Sequence, residues 1–250
     1  GAITSGSTTD DNTPTFTGKV EGNATVVIHD GGKEIGRVAS DADGNWHFTP
    51  APPLAEGAHS LSYTVIDQAG NVSLPADAID FTVDTSSIVV SIDGASDDAG
   101  SITGPISKGG VTDDTTPTLA GRAEAGSTVR IHDNGSLLGS VTADASGNWS
   151  YTPGTPLNNG THSFTVTAQD SAGNLSPASD PYAITIDTVV PTQPAITQVY
   201  DDQGDVTGNL SSGDATDDSK PTLSGTAEAN STVIVRDNGV EIGRAPVDAQ

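Results

Sequence analysis

Aspartates carry what chemistry this chain can do. Its 33 acidic residues are 27 Asp and 6 Glu, against 9 Lys and Arg, for a net charge of −24. The Asp fall in doublets and short turns. The doublets are Asp10-Asp11, Asp97-Asp98, Asp113-Asp114, Asp201-Asp202 and Asp217-Asp218. Asp67, Asp144 and Asp170 open turns that end in Gly-Asn, and Asp84 and Asp187 are each followed by Thr. A merely solubilising surface would use Glu as freely as Asp. Short carboxylates in turns, beside backbone carbonyls, are what a hard cation such as Ca²⁺ takes, with about 6–8 oxygen ligands. Without a counter-ion, like charges about 4 Å apart repel by roughly 1 kcal/mol per pair even in bulk water. No basic residue recurs beside the doublets, Lys220 being isolated. These Asp are the candidate calcium ligands, whereas isolated Asp30, Asp77 and Asp133 read as turn caps bonding their own backbone. No EF-hand loop occurs: Asp97-Asp98-Ala99-Gly100 lacks the Glu that closes one.

Other chemistries find no residues to carry them. The five His are His29, His47, His59, His132 and His162, and they form no Ser-His-Asp or HExxH arrangement. Of the pairs in register, His29/His132 becomes Arg236. A glycosidase dyad needs one acid in an apolar pocket, which polar turns do not provide. The chain therefore reads as a non-enzyme. Its charge excludes nucleic acid as a partner, since phosphate contacts need a basic face. It also disfavours anionic membranes unless divalent ions bridge the two. There is no Cys and no Met, hence neither disulfides nor metal–thiolate sites. No apolar run approaches the roughly 20 residues of a membrane helix, and the start lacks a basic-then-apolar signal segment.

The elements that position the Asp follow from an internal repeat. Asp10-Asp11-Asn12-Thr13-Pro14-Thr15 returns as Asp113-Asp114-Thr115-Thr116-Pro117-Thr118 and as Asp217-Asp218-Ser219-Lys220-Pro221-Thr222, at spacings of 103 and 104 residues. The Gly-Asn-Trp turn before Trp46 returns before Trp149, and Asp67–Asn71 returns as Asp170–Asn174. A period near 100 residues is a whole small domain. Within it the pattern is β: Phe164, Val166 and Ala168 alternate with Thr165 and Thr167. Asn134-Gly135 and Asn238-Gly239 are strong hairpin signals. The second period predicts seven strands, at about 87–93, 117–124, 128–133, 137–143, 148–152, 162–169 and 182–187. That is the signature of an immunoglobulin-like sandwich, with Trp46 and Trp149 as core residues. The expected fold is all-β, tandem seven-stranded sandwiches in a linear rod. The expected domains are 1–85 (first strand largely missing), 86–188 (complete) and 189–250 (the N-terminal half of a third).

In such a sandwich alternate loops gather at opposite poles. Asp97, Asp98, Asp113, Asp114 and Asp187 share the pole facing the next repeat, while the Asp144 and Asp170 turns face the previous one. Asp10, Asp11 and Asp84 are thus expected to approach Asp170 and Asp144. Asp113, Asp114 and Asp187 are expected to meet the third repeat, where Asp248 enters.

The runs "DDTTPTLAG", "DASGNW", "DSAGN" and "ITIDT" resemble the bacterial Ig-like repeats of giant non-fimbrial, type I-secreted adhesins, over the whole chain. The resemblance implies a segment of a secreted, cell-surface protein with Ca²⁺ between successive domains stiffening the shaft. By the same resemblance the ligands are Asp10, Asp11, Asp84, Asp113, Asp114 and Asp187, with Asp67 and Asp170 from the opposite pole. Implied partners are neighbouring repeats and, through the parent adhesin, a host-cell or glycan receptor, with the segment itself monomeric. Direct receptor or glycan binding by the repeats is the alternative. Near-identical loops of Gly, Asp, Ser and Asn suit a spacer better than a recognition surface.

Overall fold

A computed structural model describes residues 1–249. Every regular element among the described residues is a strand. No helix there is long and apolar enough to cross a membrane. Gly1–Thr188 forms one compact unit and Val189–Gln250 a second.

The first repeat contains β1 (Ser7–Thr9), β2 (Phe16–Lys19), β3 (Thr25–Asp30), β4 (Lys33–Ala39), β5 (Asn45–Phe48), β6 (Gly57–Ile66) and β7 (Ile79–Val83). They form a five-stranded sheet, β1-β7-β6-β3-β4, and a β2-β5 pair. The second repeat contains β8 (Ser91–Asp97), β9 (Gly104–Ile106), β10 (Val111–Thr112), β11 (Thr118–Arg122), β12 (Thr128–Asp133), β13 (Ser136–Thr142), β14 (Asn148–Tyr151), β15 (Gly160–Gln169) and β16 (Tyr182–Ile186). Its sheets run β10-β16-β15-β12-β13 and β14-β11-β8-β9. The inward rows of both enclose one core, including Leu119, Val129, Ile131, Trp149, Phe164, Val166 and Ile184. The two Trp sit in β5 and β14, 7% and 3% exposed, as their strand pattern requires. The second unit holds β17 (Ala195–Asp201), β18 (Gly208–Asn209), β19 (Thr222–Thr226), β20 (Thr232–Asp237) and β21 (Val240–Pro246), as a β18-β17-β19 sheet and a β20-β21 hairpin.

Turn chemistry agrees with the sequence. Asn134-Gly135 and Asn238-Gly239 have positive φ at both positions, 49° and 82°, then 46° and 85°. That is the type I′ geometry whose twist matches a hairpin.

Two features depart from expectation. The apolar run Ile88-Val89-Val90 predicts a first strand at 87–93, but the strand is Ser91–Asp97. Ile88 fills the core from outside the ladder and Val89 is 79% exposed. Opposite Ala120 and Gly121 the β8 ladder skips Asp93. This bulge changes which face the strand buries. Beyond it Ala95 and Asp97 face inward. Secondly, the acidic stretch between the first two predicted strands contains two short strands. β9 pairs with β8 as a hairpin, and β10 pairs parallel with β16.

The parallel pairing positions the acids. β10 runs beside β16 with Thr112 opposite Ile186, and β1 runs beside β7 with Thr9 opposite Val83. Asp113 and Asp187, like Asp10 and Asp84, therefore leave their strands side by side at one pole.

Candidate metal centre

The candidate ligands occupy three settings. In the first, an Asp builds its own turn. Asp67 Oδ1 accepts from the N–H groups of Ala69 and Asn71, both at 2.8 Å, and Oδ2 accepts from Asn71 Nδ2 at 2.7 Å. Asp144 accepts from Ser146 and Asn148 N–H, both at 2.8 Å. Asp170 Oδ1 accepts from three N–H groups, those of Ala172, Gly173 and Asn174, and Oδ2 accepts from Asn174 Nδ2 at 2.8 Å. The Gly before each Asn has positive φ, which closes the loop and which residues with a Cβ resist. Asn71's amide and N–H hold the Asp67 carboxyl below the usual range, and Asn148's N–H does so for Asp144.

The second setting is where the first two repeats meet. Asp10 N–H donates to the Ala172 carbonyl at 3.1 Å. Asn174 Nδ2 donates to the Asp84 carbonyl at 2.9 Å. The Asp10 carboxylate lies so close to Gly173 that an added Cβ there would stand 3.2 Å from Asp10 Oδ2. Asp84 Oδ1 accepts from Ser86 N–H at 3.0 Å, and Ser86 holds its carboxyl low. Asp11, exposed, accepts from Thr13 N–H at 2.9 Å. The structure thus brings Asp10 and Asp84 against the Asp170–Asn174 loop, while Asp144 bonds within its own turn.

The third setting lies inside a repeat and occurs twice in register. Asp97 and Asp114 are 9% and 2% exposed, Asp201 and Asp218 3% and 6%. One Thr joins each pair: Thr112 O–H donates to Asp97 Oδ2 at 2.5 Å while accepting from Asp114 N–H at 3.1 Å. Thr216 O–H donates to Asp201 Oδ2 at 2.5 Å and accepts from Asp218 N–H at 3.0 Å. The partner Asp of each doublet sits beside. Asp98 N–H reaches Asp114 Oδ2 at 3.4 Å, and Asp202 accepts from Gln203 Nε2 at 2.7 Å. The Asp113 and Asp217 carboxylates press onto Gly100 and Gly204, whose positive φ and missing Cβ make room for them. Asp187 N–H donates to the Thr112 carbonyl at 2.9 Å.

Buried carboxylates need donors or a counter-charge. Lys220 supplies only its backbone N–H to Asp218 Oδ1, at 2.7 Å. Asp218 Oδ2 is buried without a hydrogen-bond partner. Among the described residues no three or more His, Cys, Asp or Glu stand together as a metal-holding group. The acids that do meet, Asp97 with Asp114 through Thr112 and Asp201 with Asp218 through Thr216, present carboxylate and hydroxyl oxygens. Oxygen donors of this kind are the chemistry of hard cations and not of soft ones.

Sequence reasoning missed one pair of polar contacts. Asp30 and Asp133, read as turn caps, face His59 and His162, with Oδ2 2.7 Å from Nδ1 in both repeats. The signal was the recurrence of both residues at one spacing.

The model of the bacterial Ig-like domain family matches residues 1–85 and 89–188. A search of curated proteins returned no match. Among solved structures, the chain is similar to the fibronectin(III)-like modules of Clostridium thermocellum CbhA, at 15% identity and TM-score 0.44, covering 74% of this chain and 90% of that one. A tetra-tandem repeat from the extending region of a large adhesion protein matches at 19% identity and TM-score 0.32, over 96% of this chain and 71% of that one. The BSP domain of a biofilm associated protein matches at 20% identity and TM-score 0.30, over 74% of this chain and only 29% of that one.

Proposed function

The chain belongs to the bacterial Ig-like domain family, and from that premise we propose that it is an extender segment of a large bacterial cell-surface adhesin, stiffened by Ca²⁺. It carries no catalysis in this reading. Its task is to project a distal binding region away from the cell. The observation that carries the calcium reading is the twice-built acidic pocket, in which a Thr hydroxyl ties one buried Asp carboxylate to the backbone N–H of a second buried Asp, with an unpartnered oxygen on Asp218.

In the second repeat the cation would be held by Asp97 and Asp114, with Asp98 and Asp113 beside them. In the second unit Asp201, Asp202, Asp217 and Asp218 take these places. Asp10, Asp11 and Asp84 form the corresponding corner of the first repeat, and Asp187 lies beside Asp113. Asp67, Asp144 and Asp170 first of all shape the loops of the opposite pole. A bound divalent ion would supply counter-charge and cross-link strand ends that otherwise repel. Fixing those ends suppresses bending where repeats join, because Asp10 and Asp84 meet the Asp170–Asn174 loop there. An extracellular setting with Ca²⁺ affinity on the order of 10⁻⁴–10⁻³ M suits this role.

Small-angle scattering with Ca²⁺ and then with chelator tests the reading. The expected outcome is a maximum dimension that shrinks on chelation. Asp113→Ser with Asp114→Ser should lower the number of ions bound per chain, counted by calorimetry. An unchanged dimension removes the stiffening role, and an unchanged count removes the site. Glycan binding by the folded tandem would favour a receptor module over a spacer.

A further inference from the structure

His59 in β6 and His162 in β15 are each 9% exposed and identically held. His59 Nδ1 lies 2.7 Å from Asp30 Oδ2 and Nε2 lies 2.8 Å from the Ala55 carbonyl. His162 repeats this with Asp133 Oδ2 at 2.7 Å and the Asn158 carbonyl at 2.8 Å. A carbonyl only accepts, and so does an ionised carboxylate. A neutral imidazole has a single N–H, whereas the imidazolium has two and satisfies both partners. Phe81 lies 5.7 Å from the His59 ring, and Phe164 stacks on His162 at 6.0 Å and 14°. An aromatic face favours the cation.

The clamped carbonyl has a consequential neighbour. Glu56, next to Ala55, accepts from the N–H and O–H of Thr85. Asn159, next to Asn158, accepts from the N–H and O–H of Thr188. Thr85 and Thr188 begin the chain leaving each repeat.

We propose that His59 and His162 are proton-operated clamps: as imidazolium each ties the β3 or β12 hairpin end to the loop that anchors the outgoing chain, and on losing its proton each releases that loop. The charged group facing His59 is Asp30 from β3; Asp80 from β7 pairs opposite Ser60 and lines the same recess, and Glu56 on the clamped loop bonds Thr85. His162 faces Asp133 from β12, with Asn159 and Ala183 in the places of Glu56 and Asp80.

Burial opposes the charged ring, but the Ala55 carbonyl, the Asp30 hydrogen bond and the Asp30 charge together outweigh it and raise His59. Asn158 and Asp133 do the same for His162. A folded value above the unfolded one, about 6.5, gives stability that is complete below about 6.5. That stability is lost as pH rises through the folded value. Each unit of elevation is a tenfold change in the folding constant.

The test uses the whole chain, by imidazole NMR titration and by thermal unfolding between about pH 6 and pH 9, in Ca²⁺ and in chelator. Two of the five imidazoles, assigned with His59→Gln and His162→Gln, should titrate above 6.5. The unfolding midpoint should fall with rising pH, and the double variant should lose that slope. Amide exchange at Thr85 and Thr188 should lose protection as the rings deprotonate. Either ring titrating at or below about 6.5, or an unaltered slope in the double variant, overturns the proposal. The wild-type titration decides even where a variant fails to fold, and the same result is expected whether or not Ca²⁺ binds.

Discussion

The Asp67–Asn71 and Asp170–Asn174 loops are one device in two settings. Both wrap two or more N–H groups around a carboxylate oxygen and close with Asn on the other. In the first repeat the loop stands open: Ala69, Gly70 and Asn71 are exposed. In the second, Ala172 is buried, Gly173 and Asn174 are half-buried, and the loop receives Asp10 and Asp84 from the first repeat. The geometry barely changes between them. The contact face is therefore built by local bonds before any neighbour arrives, so little ordering entropy is lost when one docks.

Breaking the carboxylate separates the two roles most strongly. Asp170→Ala removes the acceptor of three N–H groups and should cost about 2 kcal/mol, the scale of hydrogen bonds to a charged group. Asp67→Ala should disturb only its own loop. Amide exchange at Asp10, whose N–H bonds Ala172, distinguishes them: protection lost in the first variant and kept in the second. Next comes bulk. Ala172→Leu overfills a buried contact and should cost about 1–3 kcal/mol, whereas Ala69→Leu falls on an exposed site and should leave the unfolding midpoint unmoved. Equal effects from the two would mean that the repeats do not meet there. The smallest effect is that of acid. Asp67, Asp84 and Asp144 have lowered folded pKa values. Their contribution is present above the unfolded value of about 3.9 and is lost as pH falls through the folded ones. Acid titration followed at the Asn71 and Asn148 side-chain amides should show it, and unchanged amide signals down to that range would remove it.

Much of the fold was legible in the residues. Alternation placed β12, β15 and β16 within a residue or two, and Asn-Gly located two hairpins. Trp46 and Trp149 were recognisable as core because each follows a Gly-Asn turn into a strand. The first strand of the second repeat was misplaced because Ile88-Val89-Val90 looks more strand-like than Ser91–Asp97. The bulge at Asp93 then hides the inward row on which Asp97 lies. His59 and His162 were visible only as a recurrence, since their partners Asp30 and Asp133 lie 29 residues away.

The sequence by itself determined the repeat, the β class, the hairpins and the Asp-centred turns, all of which act within a few residues of chain. Tertiary structure decided which acids are buried and which are merely turn-builders. Thr9 meets Val83, and Thr112 meets Ile186, through parallel pairing across some 74 residues of chain. Only that pairing sets Asp10 beside Asp84 and Asp113 beside Asp187. Burial and long-range register are properties of the packed sheets, and the two members of one doublet therefore acquire different surroundings: Asp113 is exposed, and Asp114 is closed in the interior.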